Sequence, residues 1–234
     1  MTQGLATNWL AILLALLGGL ATLFPDALAS SALVTLALLL CVIALVSAQD
    51  ESKGHASLLS RVPNTLISAV LVGFILLFLG VMTLLASGLA AFAIMSGSGF
   101  DFDTASQGTE AFEAAMAAYQ ETPGWQLAMT IFLVALVLFL GAVARSLPFA
   151  AASAVERRAV ALEAFNWSRK NGARLLGAMA IFCGAPLLVA YLVVISFQGA
   201  IASFSAAILY ALAIYGWSGL SLASYRLLAQ LPAN

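Results

Sequence analysis

From Thr65 to Met95 the chain carries no charged side chain, and five more runs of the same character lie at roughly 7–24, 30–48, 125–147, 174–197 and 202–227. Charges touch these runs only near their ends, at Arg145, Arg174 and Arg226. Nothing else in the sequence constrains the fold as tightly. A helix needs roughly 20 apolar residues to cross about 30 Å of hydrocarbon. With no water there to bond a bare amide, the backbone must satisfy itself within each segment. The pattern predicts an all-α, polytopic membrane protein of about six transmembrane helices. The 65–95 run is too long for one perpendicular crossing at about 1.5 Å per residue, so it must tilt, bend near Gly73, Gly80 or Gly88, or project beyond the bilayer.

Composition closes off the soluble alternative. The hydrophobic fraction is 63% and the charged fraction 8%, against roughly 25% charged in a soluble domain. A net charge of −1 gives no field for nucleic acid. Cys41 and Cys183 both lie inside apolar runs, which favours two isolated thiols over a shared disulfide. One histidine, His55, leaves little for a histidine-based metal site, and no cofactor is expected. Ala27-Leu28-Ala29 imitates a signal-peptide cleavage site, but residues 1–8 hold no Lys or Arg to open a signal peptide, so the first run is read as a retained span.

The nine basic residues orient the chain. Lys53 and Arg61 fall between the second and third runs. Arg145, Arg157, Arg158, Arg169, Lys170 and Arg174 lie at or between the ends of the fourth and fifth, and Arg226 closes the sixth. With six spans, all nine share one side, while Asp26, Asp101, Asp103, Glu110, Glu113 and Glu121 lie on the other. By the positive-inside rule the basic side is cytoplasmic and both termini are inside. The expected organisation is one integral membrane domain over 1–234, with an outer loop at 96–124 and a basic cytoplasmic elbow at 148–173.

In the outer loop, Thr104-Ala-Ser-Gln107 matches a capping box. Phe112, Met116 and Tyr119 then recur at helical spacing, predicting a short amphipathic helix up to Pro123, with Trp125 re-entering at interface depth. Asp101-Phe-Asp103 invites a metal reading. The calcium-loop pattern fails, however, with Ala105, Ser106 and Phe112 at the third-ligand, glycine and closing-glutamate positions, so a solvated acidic loop is expected. The segment QDESKGHASLLSRVPN between spans two and three is read as a polar inner loop, with His55 solvated.

The elbow concentrates the chemistry. Pro148 breaks the fourth span by removing a backbone donor. A helix is expected over roughly 155–170, ended by Asn171-Gly172 in a left-handed cap, with Arg169 and Lys170 in its last turn. Arg157, Arg158, Arg169, Lys170 and Arg174, with Trp167 among them, form the candidate site for anionic lipid headgroups. Arg145, Pro148, Glu156 and Gly172 form the candidate structural elbow, with Glu156 or Glu163 expected to pair with Arg145. The whole segment is expected to lie at the cytoplasmic surface.

The same residues carry a resemblance. Arg145-x-x-Pro148, Glu156 and Ala161-Leu-x-x-Phe-Asn-Trp167-Ser-x-x-Asn-Gly172-x-Arg174-Leu-Leu resemble a pattern in bacterial polytopic proteins identified with the membrane domain of glycerophosphoryl diester phosphodiesterases. There an arginine and proline end one helix, and a glutamate and a Ser-Trp pair follow. A glycine then precedes the next basic helix start. Asn166 stands here where that serine usually precedes the tryptophan. The match covers roughly 30 of 234 residues. It implies a helical domain of the bacterial inner membrane. The catalytic barrel of such enzymes is separate, and nothing in this sequence supplies its metal-binding histidine and carboxylates.

Three functions are compared. The first is a non-catalytic protein organising membrane lipids, including anionic ones, or protein partners such as other subunits or a second copy. The second is an uncoupled transporter or channel for a lipid or small solute. The absence of ionisable residues inside the spans counts against proton-coupled carriers. The third, an intramembrane enzyme, lacks a base or metal to accompany hydroxyls such as Thr35, Ser87 and Thr130. Tyr210, Tyr215, Trp217 and Tyr225 on the sixth span suit either a lipid groove or ordinary packing.

Overall fold

The computed structural model describes residues 2–24, 26–49, 56–197 and 199–229. The chain folds into helices: α1 (Thr2–Ala21), α2 (Ala27–Gln49), α3 (Ala56–Gly97), α4 (Phe102–Ala105), α5 (Thr109–Gln120), α6 (Pro123–Ser146), α7 (Phe149–Glu156), α8 (Leu162–Trp167), α9 (Gly172–Met179), α10 (Ala185–Ser196) and α11 (Ala200–Ala229), with a π-turn (Ala180–Gly184) between α9 and α10. No strand occurs among the described residues. Five segments are long and apolar enough to cross a membrane: Ala27–Ala48, Ser60–Gly97, Pro123–Glu156, Gly172–Ser196 and Ala200–Leu228. A shorter apolar stretch covers Asn8–Ala21. The protein is a polytopic helical membrane protein, as its charge-free runs require.

The contacts divide the chain into two compact units. The larger comprises 1–74 and 142–234. At its centre α1, α2 and α11 pack through small residues, with Ala11, Ala15, Ala37, Ala44, Ala207 and Ala211 all buried. A Cβ at Gly19 would run into the Ala207 carbonyl, and one at Gly18 would lie 2.7 Å from Ile214 Cδ1. Apolar burial drives little in lipid, so such close backbone approach is how membrane helices gain contact. Hydroxyls here bond the backbone: Ser218 Oγ donates to Ile214 O at 2.8 Å and Ser224 Oγ to Ser221 O at 2.9 Å. Cys41 and Cys183 are separate, buried thiols.

The fifth span is not the uniform helix expected. The Ala185 amide reaches back five residues to Ala180 O, and Pro186 has no amide to give Phe182. Gly216 on α11 lies tightly against that carbonyl, where an added Cβ would sit 2.6 Å from Phe182 O. The π-turn follows from this proline and close contact.

The segment before the third span also differs from the loop expected. Residues 56–64 are helical, and Pro63 lies inside α3. The proline costs one backbone bond, but polar residues around it are anchored to α7 and the segment after it, as described below. At 42 residues α3 is about 63 Å long, well over one hydrocarbon thickness. Lys53 and His55 lie outside the described residues.

The smaller unit is 75–141. Its stretches of α3 and α6 leave Leu77, Leu84, Leu89, Leu133 and Leu138 largely exposed, which suits side chains solvated by lipid. Between them the 96–124 segment folds on an aromatic chain: Phe92 to Phe102 (5.4 Å between centroids), Phe102 to Phe100 (4.8 Å), Phe100 to Tyr119 (5.6 Å) and Tyr119 to Trp125 (5.9 Å). The expected capping box at Thr104 is replaced. Asp101 is the cap, accepting from Thr104 N at 3.0 Å and from the Thr104 hydroxyl. These bonds favour the carboxylate and hold the Asp101 pKa below its usual value. Gly108, at φ 147, separates α4 from α5, so the predicted amphipathic helix through Phe112, Met116 and Tyr119 forms but starts at Thr109 rather than after Thr104. Tyr119 is buried, while Phe112 of the same predicted stripe is exposed.

Candidate functional site

The elbow forms within the larger unit. Leu147 and Pro148 join α6 to α7 and are buried with it. From Phe149 to Ala154 every residue of α7 is buried, so this half of the elbow is enclosed by protein. The reason is its FAAASA composition: small side chains let α7 pack closely in the larger unit, where Phe149 meets Trp217 edge-on at 6.1 Å and the Ala151 amide donates to Ser221 Oγ at 3.2 Å.

Arg157 then ends α7 in the left-handed region, at φ 56 and ψ 31. That conformation costs a residue with a Cβ roughly 1–2 kcal/mol. Asn64 on α3 offsets it, its Nδ2 donating to Arg157 O at 2.6 Å. The predicted left-handed cap at Asn171-Gly172 does not exist: α8 stops at Trp167, and Gly172 opens α9 with Asn171 at φ −115. Likewise the single helix over 155–170 is replaced by α7, an irregular link at 157–161 and α8. Arg169 and Lys170 therefore lie in the α8–α9 turn rather than in a last helical turn.

Arg61, Asn64 and Ser68 follow one face of α3 at helical spacing. Arg61, only 2% exposed, donates from Nη1 to Ala154 O at 3.0 Å, placing a cation at the C-terminal end of α7 where the helix dipole favours it. Ser153 Oγ donates to Ser68 Oγ at 2.7 Å, and the Val160 amide lies 2.9 Å from Ser68 Oγ and 3.1 Å from Ser153 Oγ. This three-way junction pins the chain after α7 to α3. Arg61 was missed as a site residue because it was assigned to a loop. Its signal was the spacing to Asn64 and Ser68.

The expected pairing of Glu156 or Glu163 with Arg145 is also replaced. Both carboxylates bind Arg158, at 2.7 Å for Glu156 and 2.6 Å for Glu163. The fork on Glu163 uses both terminal nitrogens, at 2.8 and 2.6 Å. The hydrogen bonds from Arg158 hold the Glu163 carboxyl below its usual pKa, and in return the guanidinium pKa is raised. Arg145 braces the elbow another way. Its Nη2 donates to Phe165 O at 2.7 Å, and Ser168 Oγ donates to Arg145 O at 2.7 Å. Gly172 lies over the Arg145 stem, where a Cβ would meet Cγ at 3.3 Å. The two carboxylates lie near Arg158 in sequence and reach it without crossing helices. Arg145 points to the α8 carbonyl instead.

The lipid candidates thus separate. Arg158 is held by two carboxylates, and Arg157 serves as the left-handed cap with its side chain exposed. Trp167 packs on Tyr225 at 6.2 Å, and Tyr225 Oη donates to Glu156 Oε1 at 3.4 Å. Arg169, Lys170 and Arg174 are exposed, and among the described residues no carboxylate pairs with them. Ser68, Ser153 and Ser168 are occupied in holding backbone segments together. Elsewhere in this unit, α2 and Leu66 line an open apolar groove of about 490 Å³ formed by Leu28, Ser31, Ala32, Thr35, Leu36 and Leu39. The Ser31 and Thr35 hydroxyls in it bond their own helix. No protein-family model, curated protein or solved structure matches the chain.

Proposed function

We propose that this protein is a non-catalytic organiser of lipid or protein partners in the bacterial inner membrane, with both termini and the basic elbow on the cytoplasmic side. One observation carries the reading: the serines of the elbow and the side chains of Arg61, Arg145 and Arg158 bond to one another, to carboxylates or to backbone. Ser68, Ser153, Ser168, Arg61, Arg145 and the Arg158 carboxylates all hold elements together. A nucleophile needs a neighbouring base or a metal to be activated, and these groups are arranged for support. The orientation rests on the basic residues, and the bacterial setting on the resemblance of the 145–176 segment.

The test is hydrolysis. Purified protein given glycerophosphodiesters and divalent metals should release no product above a vesicle control. Turnover that survives repurification and vanishes on a single substitution would contradict the proposal.

The α2 groove favours a second reading, an uncoupled transporter or channel for a lipid or small solute. Its lining is apolar, as a lipid chain would require. Reconstituted vesicles that move labelled lipid between leaflets faster than protein-free ones, and lose the excess when Ala32 is changed to Trp, would establish it over the organiser.

A further inference from the structure

We propose that the α8–α9 turn, through Arg169, Lys170 and Arg174, is a docking surface for anionic phospholipid headgroups. This rests on the organiser reading above and names the partner of its exposed basic site. The elbow holds two carboxylates, Glu156 and Glu163, and Arg158 occupies both at 2.7 and 2.6 Å. The neighbouring cations are left with no intramolecular counter-charge among the described residues, all three exposed within a six-residue stretch. An isolated cationic patch of this kind attracts an external anion.

Position selects the lipid as its source. Arg174 lies in the first turn of α9, and the membrane-crossing segment Gly172–Ser196 begins two residues before it. The three charges thus mark the point where the chain enters hydrocarbon, the depth of a phosphate headgroup. Trp167, two residues before Arg169, packs on Tyr225, and such aromatics favour that same depth. Two guanidinium forks beside one ammonium suit the oxygens of a phosphate diester. A soluble anion or an acidic protein would need no such boundary position.

The test uses the full-length protein in nanodiscs holding equal phosphatidylglycerol and phosphatidylcholine, with retained lipid counted by native mass spectrometry after detergent release. The wild type should keep phosphatidylglycerol preferentially, and less of it as salt rises. Arg169→Gln, Lys170→Gln and Arg174→Gln together should lower that preference at least fivefold, about the effect of one basic residue near an anionic leaflet. Thr130→Ala, which removes a hydroxyl bonded to its own helix at Gln126 O, should leave it unchanged, and a thermal transition of the triple variant matching the wild type's serves as the folding control. Three results would overturn the proposal: no preference in the wild type, preference retained in the triple variant, or displacement of the lipid by inorganic phosphate at constant ionic strength. Loss of a co-purifying polypeptide in the triple variant, with lipid retention intact, would also overturn it and make the patch a protein-docking surface. Phosphodiester turnover would refute the organiser reading while leaving lipid retention as measured, so the two failures are distinct.

Discussion

Glu163 and Gly216 make the residue-scale physics testable. The Glu163 carboxyl is held below its ordinary value of 4.5 by Arg158. A depressed carboxylate contributes stability above its unfolded pKa and loses it as pH falls through the folded one. The ion pair is therefore intact above pH 4.5 and opens only in more acid solution. Carboxyl NMR should place the Glu163 inflection below 4.5, and Arg158→Gln should return it to the ordinary value; an unchanged inflection would remove the fork from the account. Gly216→Ala places a Cβ 2.6 Å from the Phe182 carbonyl, an overpacking that should cost about 1–3 kcal/mol. Gly219→Ala on the same helix meets nothing within 4 Å and should be neutral or stabilising by up to about 1 kcal/mol. Thermal aggregation in detergent reads both, and equal effects would contradict the close contact. The left-handed residue shows why sequence misled at this scale. Propensity points to Asn171-Gly172, yet Arg157 takes the conformation because Asn64, distant in sequence, bonds its carbonyl. Propensity has no access to such a partner.

Among elements, the spans were legible and the elbow only partly so. A charge-free run of sufficient length can be satisfied only as a membrane helix, which is why α2, α3, α6, α10 and α11 coincide with the apolar runs. The burial of α7 was hidden because FAAASA has no amphipathic period; alanine suits a surface and a tight helix contact equally. Arg61 was hidden by the reverse error, a charge assumed to mark a loop. The Ser68–Ser153–Val160 junction gives the element-scale prediction. Ser153→Ala leaves buried partners short of a bond and should destabilise the fold by about 1–3 kcal/mol. Thr130→Ala removes an exposed hydroxyl bonded to its own helix at Gln126 O and should change little. Denaturation monitored by tryptophan fluorescence separates them, and a silent Ser153→Ala would mean the junction does not hold the elbow.

For the whole molecule, the central claim we propose is that the basic elbow faces the cytoplasm. The positive-inside rule supports it, with all nine basic residues expected on one side, and both the organiser function and the lipid surface depend on it. Reporter fusions test it most directly. Fusions after residues 171 and 229 should score as cytoplasmic, and a fusion after residue 105 as outside the cytoplasm. A cytoplasmic score at 105, or an external one at 171, would contradict the account.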